Sequence, residues 1–393
     1  LQWSQVQWPL AADLPEVTSS RGELQFTGAP EAWELELTGT LAGGDIPPGE
    51  WALRGRGDTG QMHLRRLQGR LLGGELEGSG PVTWAPSPAW DLRLLGSGID
   101  PAQLAADISG TLAFALHTSG AIHPESGLTA SLDLEQLTGT LLDYPLAARA
   151  RANLAGERLA IDQLLLDSQG NRFSASGSAS AASLDLAWTL SAPAPDALIP
   201  GASGLFTASG EVTGSPQAPL LDAQLQGTEL QLDTLRVPTL NAALQAGTKA
   251  DDRLALSLST GPIHSGDQPL LQSIKLHASG TGADHRLTLN AGTATDKLQA
   301  ALRGGLSDDL TGWLGQLAQL EAETADYGHW RLGGAADLAL ASEGISLGDT
   351  CLQTAQGPAL LCASGDWETA GNGRLKARIE ALPIELFTPT VSG

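Results

Sequence analysis

The sequence predicts an all-β fold: one long curled antiparallel sheet with one or two short helices. Three observations predict it. Apolar and polar residues alternate at every second position through much of the 393-residue chain. Turn-forming residues recur between these runs, at roughly the 8–12-residue spacing of hairpin-linked strands. No composition shift or linker divides the chain into separate beads. At about 12 residues per strand and turn, the chain supplies roughly 30 strands. At about 4.8 Å between neighbours, one meandering sheet extends on the order of 140 Å. A sheet that long, with one oily face, is not stable flat in water; it must curl, stack or hold something apolar.

Taken in chain order, the strands declare themselves by parity. Trp33, Leu35 and Leu37 alternate with Glu34, Glu36 and Thr38. The pattern returns at Trp90, Leu92 and Leu94, at Leu132 and Leu134, and most clearly at Leu184, Leu186, Trp188 and Leu190. It continues at Leu230 and Leu232, at Leu254, Leu256 and Leu258, at Leu287 and Leu289, and at Leu338 and Leu340. Alternation of this kind marks strands with one apolar and one polar face. The apolar residue is mostly Leu, although β-branched residues lead in strands, so pattern outweighs propensity here. The pentapeptide Leu-Thr-Gly-Thr-Leu occurs at 37–41 and again at 137–141. Gly43-Gly44, Pro47-Pro48, Gly73-Gly74, Gly304-Gly305 and Asn372-Gly373 read as turns. Two interruptions read as helical. Over 307–320, Leu310, Trp313, Leu314 and Leu317 form an amphipathic stripe, with Ser307 as N-cap and Asp308-Asp309 in the first turn. A shorter turn is expected at 100–106, with Pro101 at its first position.

Charge and chemistry exclude more than they include. Forty-four acids against 22 bases give a net charge of −22. That argues against a phosphate-backbone binder and against a polybasic membrane patch. Hydrophobic content of 41% is too high for a disordered acidic chain. No apolar run approaches the ~18 residues of a membrane helix, and no targeting segment is visible after Leu1. The chain reads as one continuous β segment over 1–393, a middle fragment with any anchor or further domain outside it. Gly55-Arg56-Gly57-Asp58-Thr59-Gly60 matches a dinucleotide fingerprint, but Gln61-Met62-His63-Leu64 reads as a strand where a helix is required. It is a hairpin turn. No P-loop, nucleophile elbow or zinc-protease motif is present. His117 and His123 straddle an expected turn and read as solvated or half-buried, while Asp251-Asp252 reads as a turn. The sequence argues for no enzyme, no cofactor, no metal and no nucleic acid. Cys351 and Cys362 flank Gly357-Pro358 in an expected hairpin, near facing positions that suit a disulfide. The alternative is two buried free thiols.

Several phrases in fixed order carry a family resemblance. They begin with Trp8-Pro9-Leu10, Ser20-Arg21-Gly22-Glu23-Leu24, Gly80-Pro81-Val82-Thr83-Trp84 and Gly98-Ile99-Asp100-Pro101. Asp167-Ser168-Gln169-Gly170-Asn171, Leu184-Asp185-Leu186-Ala187-Trp188, Ile199-Pro200-Gly201 and Gly210-Glu211-Val212-Thr213-Gly214 follow. Near the end stand Leu361-Cys362-Ala363-Ser364-Gly365-Asp366-Trp367 and Ala381-Leu382-Pro383-Ile384. Over essentially its whole length the chain resembles the TamB family, inner-membrane subunits of the translocation and assembly module of Gram-negative bacteria. One departure is Leu352 after Cys351, where the family leads one to expect Trp.

The resemblance implies a periplasmic protein, anchored to the inner membrane by an N-terminal helix outside the chain. It is similar to AsmA-like and bridge-like lipid-transfer proteins, whose sheets curl into a β-taco with an open hydrophobic groove. Phospholipid acyl chains are the implied occupant. TamA, an outer-membrane barrel of the Omp85 type, is the implied partner, and outer-membrane proteins and autotransporters are implied substrates. Two roles follow as expectations: a conduit for phospholipid, or a scaffold for outer-membrane protein assembly. The expected groove lining is the apolar parity set: Trp33, Leu35, Leu37, Leu132, Leu134, Leu184, Leu186, Trp188, Leu190, Leu230, Leu232, Leu254, Leu256, Leu258, Leu287, Leu289, Leu338 and Leu340.

Overall fold

The computed structural model describes residues 1–8, 16–43, 46–125, 127–197, 199–307, 311–355, 357–369 and 371–382. They form 28 strands and two single-turn helices, and every described strand pairing is antiparallel. The predicted all-β class and its long antiparallel sheet are both found. The chain divides into two units, Leu1–Trp188 and Thr189–Gly393.

In the first unit each strand pairs with the next in sequence through Asn171–Ala179. Examples are Ala32–Gly43 with Ile46–Gly57, and Gly110–His123 with Gly127–Leu141. Three connections are two-residue turns with both residues at positive φ: Leu72-Gly73, Leu142-Asp143 and Gln169-Gly170. That is the primed hairpin turn, whose twist matches the strands it joins. Among the fully described connections of this unit the longest is the segment 100–109, which holds the helical turn Pro101–Gln103. Asp100 caps it, its carboxylate accepting from the Ala102 N–H, with Pro101 where its missing N–H costs nothing.

In the second unit the same order runs from Ala202–Ser215 to Gly373–Glu380, with two local branches. The hairpin of Ile263–Ser265 and Gln268–Leu271 attaches to the start of Leu235–Gly247, leaving Arg253–Thr260 to pair with Ser273–Thr281. Trp313–Thr324 is flanked along one edge by both Gly328–Leu332 and Ala336–Ala341.

Four expectations are corrected. The helix over 307–320 is absent from its described part, where Trp313–Thr324 is a strand paired with Lys297–Leu306. Asp308, Asp309 and Leu310 lie outside the described residues. Gly312 and Gly315 weaken a helix, and Trp313, Gly315 and Leu317 share one strand face while Leu314 points away, 63% exposed. Gly304-Gly305 and Pro47-Pro48 lie within strands instead of turns. His117 and His123 share one strand.

Neither unit has a dry core. Among the described residues, the only large aliphatic side chains that are buried are Leu64 and Ile263; the other buried apolar side chains are alanines, Pro195 and Cys362. The apolar face is instead half-buried, as the alternating burial of Leu184–Ala192 shows residue by residue.

Candidate functional site

Register carries the alternation from strand to strand, because directly paired residues point to the same face. In the first unit one row runs Leu24, Leu37, Leu53, Leu67, Gly78, Leu94, Leu116, Leu134, Ala150, Leu164, Ala175. Each residue faces the next across the sheet, and no polar side chain interrupts them. In the second unit a row runs Gly210, Ala223, Leu244, Leu256, Ala278, Leu287, Leu302, Leu317, Ala336. Beside it lies a second: Ala208, Leu225, Ala242, Leu258, Leu276, Leu289, Ala300, Leu320. Each unit therefore carries a continuous apolar track crossing the strands.

Of the expected lining residues, fifteen are half-buried on this face; Leu132, Leu232 and Leu340 are exposed. Leu132 sits between Thr118 and Ala152, too small to cover it. Leu230 and Leu232 follow a register irregularity in which Glu229 takes a positive φ, and Leu232 ends its strand. Leu256 and Leu258 meet Leu287 and Leu289 through Ala278 and Leu276, while Leu254 faces His285 across Gly280.

A pairing not read from the sequence shapes the face. Six aromatic residues stand directly opposite a glycine on the neighbouring strand: Trp3 with Gly22, Trp33 with Gly57, Trp51 with Gly69, Phe114 with Gly96, Trp90 with Gly120 and Trp367 with Gly373. In five of the six the ring occupies space that a Cβ on the glycine would need; at Gly69 the Leu71 side chain is nearer and the Trp51 ring is in tight contact. The rings lie down along the sheet, covering backbone that glycine leaves bare. Three of the indole N–H groups are bonded nearby: Trp3 to the Ser19 hydroxyl at 2.8 Å, Trp33 to the Asp58 carbonyl at 3.0 Å and Trp90 to the Thr118 hydroxyl at 3.2 Å. The signal in the sequence is Gly at the apolar parity of a strand, one hairpin away from a Trp or Phe.

One buried histidine sits on the apolar face of the second unit. His285 pairs with Gly280 and Gly304, and the Trp313 ring reaches back over Gly304 to it. Trp313 Nε1 donates to His285 Nε2 at 2.9 Å, and His285 Nδ1 donates to the Thr281 carbonyl at 3.0 Å. The two bonds fix the neutral Nδ1–H tautomer, because a carbonyl only accepts and an indole N–H only donates. The imidazole thus exposes no free polar edge to the track.

The opposite face is polar and charged. Arg54 pairs with Glu36 at 2.7 Å, Arg21 with Glu50 at 2.9 Å and Arg151 with Asp133 at 3.1 Å. These pairs are open to water and contribute little stability. Concavities of about 580 and 730 Å³ in the first unit are walled mainly by such side chains, among them Arg21, Glu50 and Arg70, and Glu34, Arg56 and His63. His117 bonds Asp91 at 2.6 Å across the strands on this face. Three carboxyls are held below their ordinary range in turns and at one ion pair. Asp58 accepts from the Gly60 N–H and then from Gln61; Asp284 is held by Arg303; Asp296 accepts from the Ala325 N–H and the Thr293 hydroxyl. Among the described residues no group of His, Cys, Asp or Glu side chains is placed to hold a metal ion, and no helix is long and apolar enough to cross a membrane.

Cys351 and Cys362 are direct partners across a hairpin, Cα atoms 4.0 Å apart and sulfurs at disulfide distance. A family model described as TamB, N-terminal domain, matches residues 1–392.

Proposed function

The chain belongs to the TamB family through that family's N-terminal domain, and from this premise we propose that it is part of a conduit for phospholipid across the periplasm. The observation that carries the reading is the pair of apolar tracks, half-buried, continuous from strand to strand and free of charged side chains. Acyl chains gain about 0.8 kcal/mol for each CH2 removed from water. A face built of Leu, Ala, Gly and flat-lying aromatics offers that gain equally at every strand, so a chain can slide without a deep trap. Head groups remain at the water-exposed mouth, since the tracks hold no cation or donor array to bind them.

Membership of the family also puts the chain in the Gram-negative envelope, and on our reading its partner at the outer membrane is TamA. The same premise admits a scaffold role in assembling outer-membrane proteins and autotransporters. Parity separates the two. Leu186→Asp and Leu256→Asp place a charge on the track, costing several kcal/mol of desolvation to any acyl chain that passes. Ala187→Asp places the same charge on the outer face. With folding checked by circular dichroism, lipid transfer and outer-membrane integrity should fail for the two track variants and survive in Ala187→Asp. Equal behaviour of inward and outward charges in folded protein overturns the conduit and leaves the scaffold.

A further inference from the structure

One rim of the first unit gathers exposed aliphatic side chains from three connections. Its three components are joined by backbone hydrogen bonds. The Asp100 N–H donates to the Leu72 carbonyl at 2.8 Å, and the Leu142 N–H donates to the Ser109 carbonyl at 2.8 Å. The turn Leu72-Gly73, the segment 100–109 and the turn Leu142-Asp143 therefore form one continuous ledge. Its tips are aliphatic and wet: Leu104 is 69% exposed, Leu142 51%, and Ile108 is exposed beside them. Leu72 and Leu142 hold positive φ in the first position of primed turns, where Asn or Gly is the favoured residue. At Leu142 neither water nor local geometry favours leucine, and at Leu104 water does not.

The charge of the ledge selects what can cover it. Asp107 and Asp143 stand exposed among the leucines, and the three segments contain no Lys or Arg. The base next to the ledge in sequence, Arg70, is engaged by Glu50 and Glu75. An anionic lipid surface is repelled by this arrangement, and so is a second copy of a chain carrying a net charge of −22. We propose that the ledge is a docking surface for a cationic amphipathic segment of a partner protein, with apolar side chains between the leucines and Lys or Arg against Asp107 and Asp143. The surface is separate from the apolar track and does not depend on the conduit reading.

The test uses an 18-residue amphipathic peptide of Leu and Lys, its Leu/Glu counterpart, and vesicles of phosphatidylethanolamine with phosphatidylglycerol. Binding to the full chain is followed by fluorescence anisotropy at physiological salt. The Leu/Lys peptide should bind and the Leu/Glu peptide should not. Leu104→Ser combined with Leu142→Asn should weaken binding at least tenfold, as should Asp107→Lys with Asp143→Lys. Asn suits the turn better than Leu, so the first pair leaves the fold intact, and circular dichroism checks both. Three results overturn the proposal. One is equal peptide affinity for wild type and rim variants. Another is peptide binding that disappears in Leu186→Asp while the rim variants bind normally. The third is vesicle binding that depends on Leu104 and Leu142 while the peptide does not bind.

Discussion

Glycine is the residue whose role here depends most on what stands across from it. Gly96 faces Phe114, whose ring fills the place of a Cβ. Gly96→Ala should therefore lower stability by about 1–3 kcal/mol, as overpacking does. Phe114→Leu in the same chain should recover part of it, read as urea midpoints in a double-mutant cycle. The cysteine pair gives a second prediction. Cys351 and Cys362 close a short loop, for which chain entropy gives about 3 kcal/mol. Thiol labelling of denatured, unreduced protein should find no free thiol, and full labelling at both positions would refute the bond. Acid sensitivity is a third. Asp58, Asp284 and Asp296 have folded-state pKa values below their unfolded ones. Their contribution is complete above the ordinary carboxylate value of about 3.9 and is lost as pH falls through the lowered ones. Replacing all three by Asn should flatten the acid side of the stability curve while leaving its slope near neutrality unchanged, measured as urea midpoint against pH.

The strand is the scale at which sequence reading succeeds and fails most visibly. Parity placed Leu184, Leu186, Trp188 and Leu190 on one side because that strand carries no irregularity to shift it. At Glu229 a positive φ breaks the count, so Leu230 and Leu232 could not be related by parity to Leu221, Ala223 and Leu225 before them. Positions 310, 313, 314 and 317 suit a helix and, read as Trp313, Gly315 and Leu317, suit a strand equally. What decides between them is the neighbouring Lys297–Leu306, whose edge needs a partner, and single-sequence periodicity does not contain that edge. The apolar tracks were half legible for the same reason: which residues alternate is local, but which residues meet depends on register. Trp313→Phe tests the strand assignment. It keeps the ring over Gly304 but leaves the buried His285 Nε2 without its donor, a loss of about 1–3 kcal/mol. His285→Leu in the same background should recover much of that, whereas an exposed helix at 307–320 would make both changes silent.

For the molecule as a whole, surface is the quantity out of the ordinary. The chain exposes 24018 Å², against roughly 14,500 Å² for a compact globular protein of its mass. The half-buried leucines of the tracks are apolar surface that a ligand would cover. Phospholipid should therefore act as a stabiliser by mass action, adding about 2.7 kcal/mol at a hundred times its dissociation constant. Thermal unfolding with and without short-chain phosphatidylethanolamine should show a rise in Tm that is reduced in Leu256→Asp. The order of the strands has a separate consequence, for how the protein is made. Nearly every strand pairs with its sequence neighbour, and the widest described pairing reaches only from Ala89 to Ala121. Topology of this kind has low contact order despite being all-β, so loop closure is cheap at each step and no distant segment has to be awaited. The chain can acquire structure hairpin by hairpin as it emerges, N-terminus first, each new strand templated by the free edge of the one before it. Length then becomes an addition to folding time instead of a multiplier of its barrier, which lets such a chain be extended by duplicating strands.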